Sequence, residues 1–306
     1  MFKNIARCVI VVFLSLVLSF CEAAEEKQYK IAFIVKSLQS PFFLSMMEGA
    51  EQCDRDFDEI SVDILAPQTP YNIDEQIQLV EQSITNKVDA IVITPCDSMG
   101  IVPAIKKANA ANIPVITSNT KSAGGTILSF VGVENYDVGH SLAVALCEKL
   151  NGAGNVLLME GRAGNSTSEE RVAGAKDGFA EFPGITLIDS QPGDWERAKG
   201  MTVMENWLQT YDDIDGVLTL TNDMGLGALE ALRAAGRDDI ISITFDIDEY
   251  VAEAIQNGEI YATGNQNEKS QAYIAIASAL FHLKGYAVDT NQILPIKVIT
   301  KENLSF

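Results

Sequence analysis

The chain has 306 residues, 47% of them apolar and 21% charged, with a formal net charge of −20. That length and composition suit a globular protein of two ordinary domains, and the acidic excess disfavours nucleic acid and anionic lipid as partners. Five cysteines and two histidines leave little for a metal centre or a Ser-His mechanism, so no metal and no cofactor is expected.

Residues 1–24 begin with Lys3 and Arg7, run apolar from 8 to 20 apart from Ser15 and Ser19, and end on Cys21, Ala23 and Ala24. Basic start, apolar core and small-residue end are the order of a secretory signal. The apolar core, about 13 residues, is too short for a membrane span, which needs about 20. The expectation is export to the periplasm with loss of this segment. Losing two basic residues and one acidic one (Lys3, Arg7, Glu22) takes the charge from −20 to −21. A secondary reading is lipid anchoring at Cys21, because Leu18-Ser19-Phe20-Cys21 loosely matches a lipobox, although Phe20 stands where a small residue is usual. Three cysteines remain, Cys53, Cys96 and Cys147. They fit no metal-site spacing and read as buried thiols.

From there, apolar strand-like runs alternate with amphipathic helical stretches. Strand 31–35 precedes helix 43–57, strand 62–65 precedes helix 74–86, and strand 90–93 precedes helix 101–111. Strands 115–117 and 127–131 follow. The cycle restarts with helix 138–150, strand 156–159, helix 168–182, strand 185–189 and helix 195–209. Strand 217–220, helix 226–235, strand 241–245, helix 249–257, strand 261–263, helix 271–283 and strand 296–299 complete it. The strands read as continuous apolar runs such as AIVI and IISITF, the pattern of parallel sheets covered on both faces. The fold class is α/β with two Rossmann-like lobes.

In open α/β sheets the ligand sits beyond the carboxyl ends of the strands. Those places hold Lys36, Ser40, Phe42 and Phe43 after the first strand and Thr94 after the third. Asn119, Trp195, Asn222, Asp246 and Gln266 follow later strands. Alone, Asn222 or Asp246 reads equally well as a helix cap, Trp195 reads as core, and Lys36 reads as a solvent-facing residue. Together they make a wall of hydrogen-bonding groups with an aromatic face, suited to a neutral polyhydroxylated ligand.

The stretches SPFFLSMMEGAEQ, ANIPVIT, SQPGDWERAKGMTVMENWL, TNDMGLGALEAL and FDIDEY carry a resemblance. With them the chain, over about residues 30–300, resembles the type I periplasmic sugar-binding proteins, most of all their ribose-binding branch. The resemblance implies a three-stranded hinge, with one lobe of residues 25–132 plus 267–290 and a second of 133–266 plus 291–306. It implies stacking by Phe42, Phe43 and Trp195, and polar ligation by Asn222, Asp246 and Gln266. Where the ribose-binding pattern has an Asp-Arg pair, this chain has Asn119-Thr120. The next Arg of that pattern aligns with Glu169, and Arg171 lies two residues on. Lys36 and Ser40 also depart from it, so ribose itself does not follow. A pentose, hexose, polyol, cyclitol, furanose signal or charged sugar remains open.

The function implied is capture of a small carbohydrate or polyol by hinge closure, without catalysis, by a monomer that delivers it to an ABC transporter permease. A chemoreceptor or sensor kinase is a further partner in this reading. The alternatives are a sensor without transport and an exported carbohydrate-active enzyme using carboxylates such as Glu169 and Asp246.

Overall fold

The computed structural model describes residues 28–304, so the segment read as an export signal lies outside the described residues. Two six-stranded sheets organise the chain. The first contains β1 (Tyr29–Ile34), β2 (Ile60–Leu65), β3 (Ala90–Ile93), β4 (Val115–Ser118), β5 (Ser129–Gly132) and β11 (Asn291–Ile293). Their order is β11-β5-β4-β3-β1-β2, parallel throughout. The second contains β6 (Ala153–Glu160), β7 (Gly184–Pro192), β8 (Gly216–Thr219), β9 (Ile241–Phe245), β10 (Ala262–Asn265) and β12 (Lys297–Thr300). Their order is β12-β10-β9-β8-β6-β7, and only β12 runs antiparallel.

Helices α1 (Pro41–Asp56), α2 (Ile73–Thr85), α3 (Val102–Ala110) and α9 (Glu268–Leu283) flank the first sheet. Helices α4 (Asn135–Lys149), α5 (Ser166–Ala180), α6 (Arg197–Thr210), α7 (Asn222–Ala235) and α8 (Glu249–Asn257) go with the second. Strand β1 shows why an unbroken apolar run is needed. Ile31 and Phe33 enter the core under α1 and α9, while Ala32 and Ile34 enter the core under α2 and α3. All four are fully buried. A side chain of Ile or Phe size buried in this way stabilises by about 1.5–3 kcal/mol.

Local caps set where the helices begin. Asn72 accepts from Glu75 N, Asn165 from Thr167 N, Thr221 from Met224 N and Asp248 from Val251 N. Each satisfies an otherwise orphaned first-turn donor. The Thr221 cap starts α7 four residues before the sequence expectation of 226. In the other direction, α6 starts at Arg197 rather than 195, because Asp194 and Trp195 both adopt left-handed backbone, with φ of 54° and 66°.

The chain crosses between the sheets three times, after β5, after β10 and after β11. Strand β11 was not anticipated. It places residues 291–293 in the first sheet, whereas the expected division gave everything beyond 290 to the second lobe. Three residues, Asn-Gln-Ile, at the sheet edge carry too little apolar periodicity to show in the sequence. Cys53, Cys96 and Cys147 are free, buried thiols. Among the described residues no helix is long and apolar enough to cross a membrane, and no acidic, His or Cys group could hold a metal.

Candidate functional site

A cavity lies between the two sheets, at the carboxyl ends of their strands, with about 410 Å³ of empty space, its opening to solvent included. The first lobe contributes Lys36 beyond β1, Ser40, Phe42 and Phe43 at the start of α1, Tyr71 beyond β2 and Asn119 beyond β4. The second contributes Thr167 and Arg171 on α5, Trp195 beyond β7, Thr221, Asn222 and Asp223 at the start of α7, and Asp246 beyond β9. Gln266 stands at the crossing after β10.

Two anticipated residues do not line this cavity. Thr94 is fully buried behind it, where its backbone N and hydroxyl donate to Ile34 O and its carbonyl accepts from Gln76. Glu169 is exposed, on the outer face of α5. Arg171, two residues on, is rotated about 200° around the helix and points inward, at 1% exposure. Four further residues line the cavity without a distinguishing signal in the sequence. Tyr71 lies in a turn with no strand or helix pattern around it. Thr167, Thr221 and Asp223 read as ordinary helix-start residues in sequence.

Four of the lining residues, Tyr71, Asn119, Trp195 and Asp246, have left-handed backbone, with φ between 61° and 69°. Left-handed backbone is strained for bulky side chains and collects at functional sites. Here it turns each chain end so that the side chain faces the cavity. The Tyr71 amide is held by the carbonyl of Lys36 at 2.9 Å.

Three charged groups in this cavity are buried. Lys36 Nζ donates to Thr120 Oγ1 at 2.6 Å and Asn119 Oδ1 at 3.4 Å. Burial lowers its pKa to about 7, and the Arg171 and Arg162 cations push the same way, against the Cys96 thiol. Asp246 Oδ1 accepts from Gln266 Nε2 at 2.6 Å. Burial raises the Asp246 carboxyl to about 7, opposed by Arg171. Arg171 donates through Nε to Asn135 Oδ1 at 2.9 Å and through Nη1 to the Leu220 carbonyl at 3.0 Å. Its guanidinium lies 4.2 Å from the Phe245 ring centroid. Nη2 is buried without a partner among the described residues. A buried unpaired donor costs about 1–3 kcal/mol, so this N–H is the strongest demand the protein makes on whatever fills the cavity.

The lobes are in direct contact around the cavity. Ser40 Oγ donates to Asp223 Oδ2 at 3.2 Å, which is why this N-cap serine makes no cap bond of its own. Thr120 and Thr167 share a hydrogen bond of 2.8 Å, and Asn119 Nδ2 donates to Gln266 Oε1 at 3.2 Å. Asn165 Nδ2 reaches the Cys96 carbonyl at 3.3 Å, and Arg162 stacks over Tyr71 at 5.0 Å. This is a closed arrangement.

Three aromatics supply the apolar surface. Phe42 and Phe43 meet edge to face at 5.0 Å, with Phe43 buried and Phe42 half-buried. Trp195 belongs to the second-lobe core and also lines the cavity, so both readings of it hold. Its indole lies against Gly161, where an added Cβ would stand 1.9 Å from the ring. Gly161→Ala is therefore expected to push the indole into the cavity. Ligand affinity should fall about tenfold, roughly 1.4 kcal/mol, with the fold retained. Titration calorimetry beside a thermal melt checks this, and an unchanged affinity would mean that Trp195 does not shape the site.

A profile of the periplasmic binding protein domain matches residues 31–287. The ribose import binding protein of Escherichia coli strain K12 is 29% identical over 300 residues, covering 98% of this chain and 99% of that protein. The D-ribose/D-allose-binding protein of Pseudomonas aeruginosa is 32% identical over 280 residues, covering 88% of this chain and 86% of the other. An ABC transporter periplasmic solute binding protein from Actinobacillus succinogenes, solved with bound D-allose, shares the fold with a TM-score of 0.85 at 31% identity. That match covers 90% of this chain and 98% of the other. With a cavity closed between two lobes at their strand ends and a family profile spanning both, the chain belongs to the periplasmic binding protein family, within its ribose-binding branch.

Proposed function

We propose that this protein captures a monosaccharide-sized carbohydrate or polyol by closing its lobes around it, and presents the closed form to an ABC transporter permease. The observation that carries this reading is the cavity between the lobes. It combines an aromatic surface (Phe42, Phe43, Trp195) with polar side chains from both lobes, among them the unpaired Arg171 Nη2. Aromatic faces suit the C–H surfaces of sugars, and the polar groups suit hydroxyls, which both donate and accept. Because the two lobes supply different partners, ligand binds the closed state better and shifts the population toward it. The names of the relatives, for ribose import and for D-ribose and D-allose binding, agree with this class.

Binding without turnover is part of the proposal. A glycosidase needs two carboxylates flanking the scissile bond. Glu169 points away, and the two carboxylates that do line the cavity, Asp223 and Asp246, both come from the second lobe. The N-terminal pattern of residues 1–24 supports export, and the acidic surface suits a soluble monomer in the periplasm.

A thermal-shift screen of the mature chain against pentoses, hexoses, sugar acids, polyols and cyclitols tests the reading. A ligand at 100 times its dissociation constant should stabilise the protein by about 2.7 kcal/mol. No shift with any member of the panel would sink it.

A further inference from the structure

We propose that the ligand carries a carboxylate, as in a monosaccharide-sized uronate or aldonate, and that Lys36 and Arg171 receive this carboxylate from opposite lobes. The proposal rests on the carbohydrate reading above and narrows its ligand class.

Among the described residues the buried charged side chains are Lys36, Arg171 and Asp246, and all three line the one cavity. The hydrogen-bond partners of both cations are neutral. Lys36 has Thr120 and Asn119, and Arg171 has Asn135 and the Leu220 carbonyl. Each cation keeps a donor in reserve, a third N–H on Lys36 and Nη2 on Arg171. A shortage of carboxylates does not explain this, since the chain has 42 acidic residues against 22 basic ones. Neither cation hydrogen-bonds a carboxylate, Asp246 acts on Arg171 only through space, and the two cations repel each other across the closed cleft, so two buried positive charges stand against one buried carboxylate among the described residues. An anion placed between them supplies the missing negative charge and relieves their repulsion.

The ligand is the group that can supply that anion. A carboxylate offers two oxygens with several lone pairs, enough to accept from Lys36 and Arg171 together, and charge-assisted hydrogen bonds are about twice as strong as neutral ones. Lys36 stands beyond β1 and Arg171 on α5, so one carboxylate would tie the lobes and favour closure. Asp246 is engaged through Oδ1 by Gln266, which leaves Oδ2 to accept from a ligand hydroxyl. The site then reads as an anion subsite and a hydroxyl subsite, floored by Phe43 and Trp195. A hydroxyl in place of the carboxylate would leave one of the two buried positive charges without a counter-charge.

Titration calorimetry with matched pairs tests this: glucose and glucuronate, galactose and galacturonate, ribose and ribonate, arabinose and arabinonate. At least one acid is expected to bind ten or more times tighter than its neutral parent. Lys36→Gln should bring that ratio to within twofold, and Lys36→Arg should preserve it, with thermal melts confirming that both variants fold. A neutral parent that binds as tightly as its acid overturns the proposal while leaving carbohydrate capture intact. Lys36→Gln weakening acid and parent equally, or binding confined to uncharged polyols and cyclitols, overturns it in the same way. No binding to any carbohydrate or polyol overturns both readings.

Discussion

Replacing Arg171 with leucine is expected to weaken ligand binding more than 100-fold, about 3 kcal/mol. The argument starts from burial. Arg171 is 1% exposed, and its guanidinium is fixed by Asn135 and the Leu220 carbonyl, with Phe245 packed against its face. Those contacts leave Nη2 aimed with little rotamer freedom, so a ligand oxygen that meets it loses little ordering entropy. Hydrogen bonds to charged groups contribute about 1.5–3 kcal/mol each. Leucine also leaves the Leu220 carbonyl and Asn135 Oδ1 unsatisfied in a buried place, so the melting temperature should fall as well. Arg171→Lys separates the effects. It keeps a charge but not the planar fork, and should restore part of the stability while binding remains impaired. Calorimetry and thermal unfolding on both variants read the two quantities. A folded Arg171→Leu protein with affinity within twofold of the parent would show that Nη2 does not meet the ligand.

Much of this architecture was legible because parallel strands buried on two faces must be apolar without interruption. Strands such as β3 and β9 therefore announced themselves, and the strand-end rule then located most of the lining. What failed did so for local reasons. In sequence Trp195 has the pattern of a helix's first residue, since propensity does not suggest a left-handed tryptophan; in the structure its indole packs against Gly161. Glu169 and Arg171 are not separable by resemblance, which does not fix helical phase, and residues two apart on an α-helix face nearly opposite ways. Tyr71 had no signal at all, since its place depends on a long-range bond from its amide to the Lys36 carbonyl. Strand β11 was hidden by brevity, and its pairing to β5 depends on where the chain crosses rather than on its own three residues.

Lys36→Met is expected to raise the stability of the ligand-free protein by about 3 kcal/mol at neutral pH, and to do so less as the pH rises. Lys36 is 3% exposed, and its pKa falls from 10.5 to about 7, chiefly through burial. That gap corresponds to roughly 5 kcal/mol between the two protonation states. The methionine loses the hydrogen bond to Thr120, which offsets about 1–2 kcal/mol, although Thr120 keeps its partner Thr167. The pH dependence gives the prediction its sign. Between pH 7 and 10.5 the unfolded lysine holds a proton that the folded one has lost, so rising pH stabilises the parent protein through this group. Below pH 7 the folded lysine is charged too, and its penalty is complete. The advantage of Lys36→Met should therefore be full at and below pH 7 and fade toward pH 10.5. The raised thiols of Cys53 and Cys147 do not feel Lys36 and cancel between the two proteins, whereas the Cys96 thiol, which Lys36 draws down, rises further in Lys36→Met and adds to the fading of its advantage at the alkaline end. Urea unfolding of the pair at several pH values between 6 and 10 measures it. A constant advantage across that range would mean that methionine gains by packing alone and that the ammonium is not penalised. A fading advantage, together with lost ligand binding, would mean that the protein keeps a destabilising buried cation because its ligand requires one.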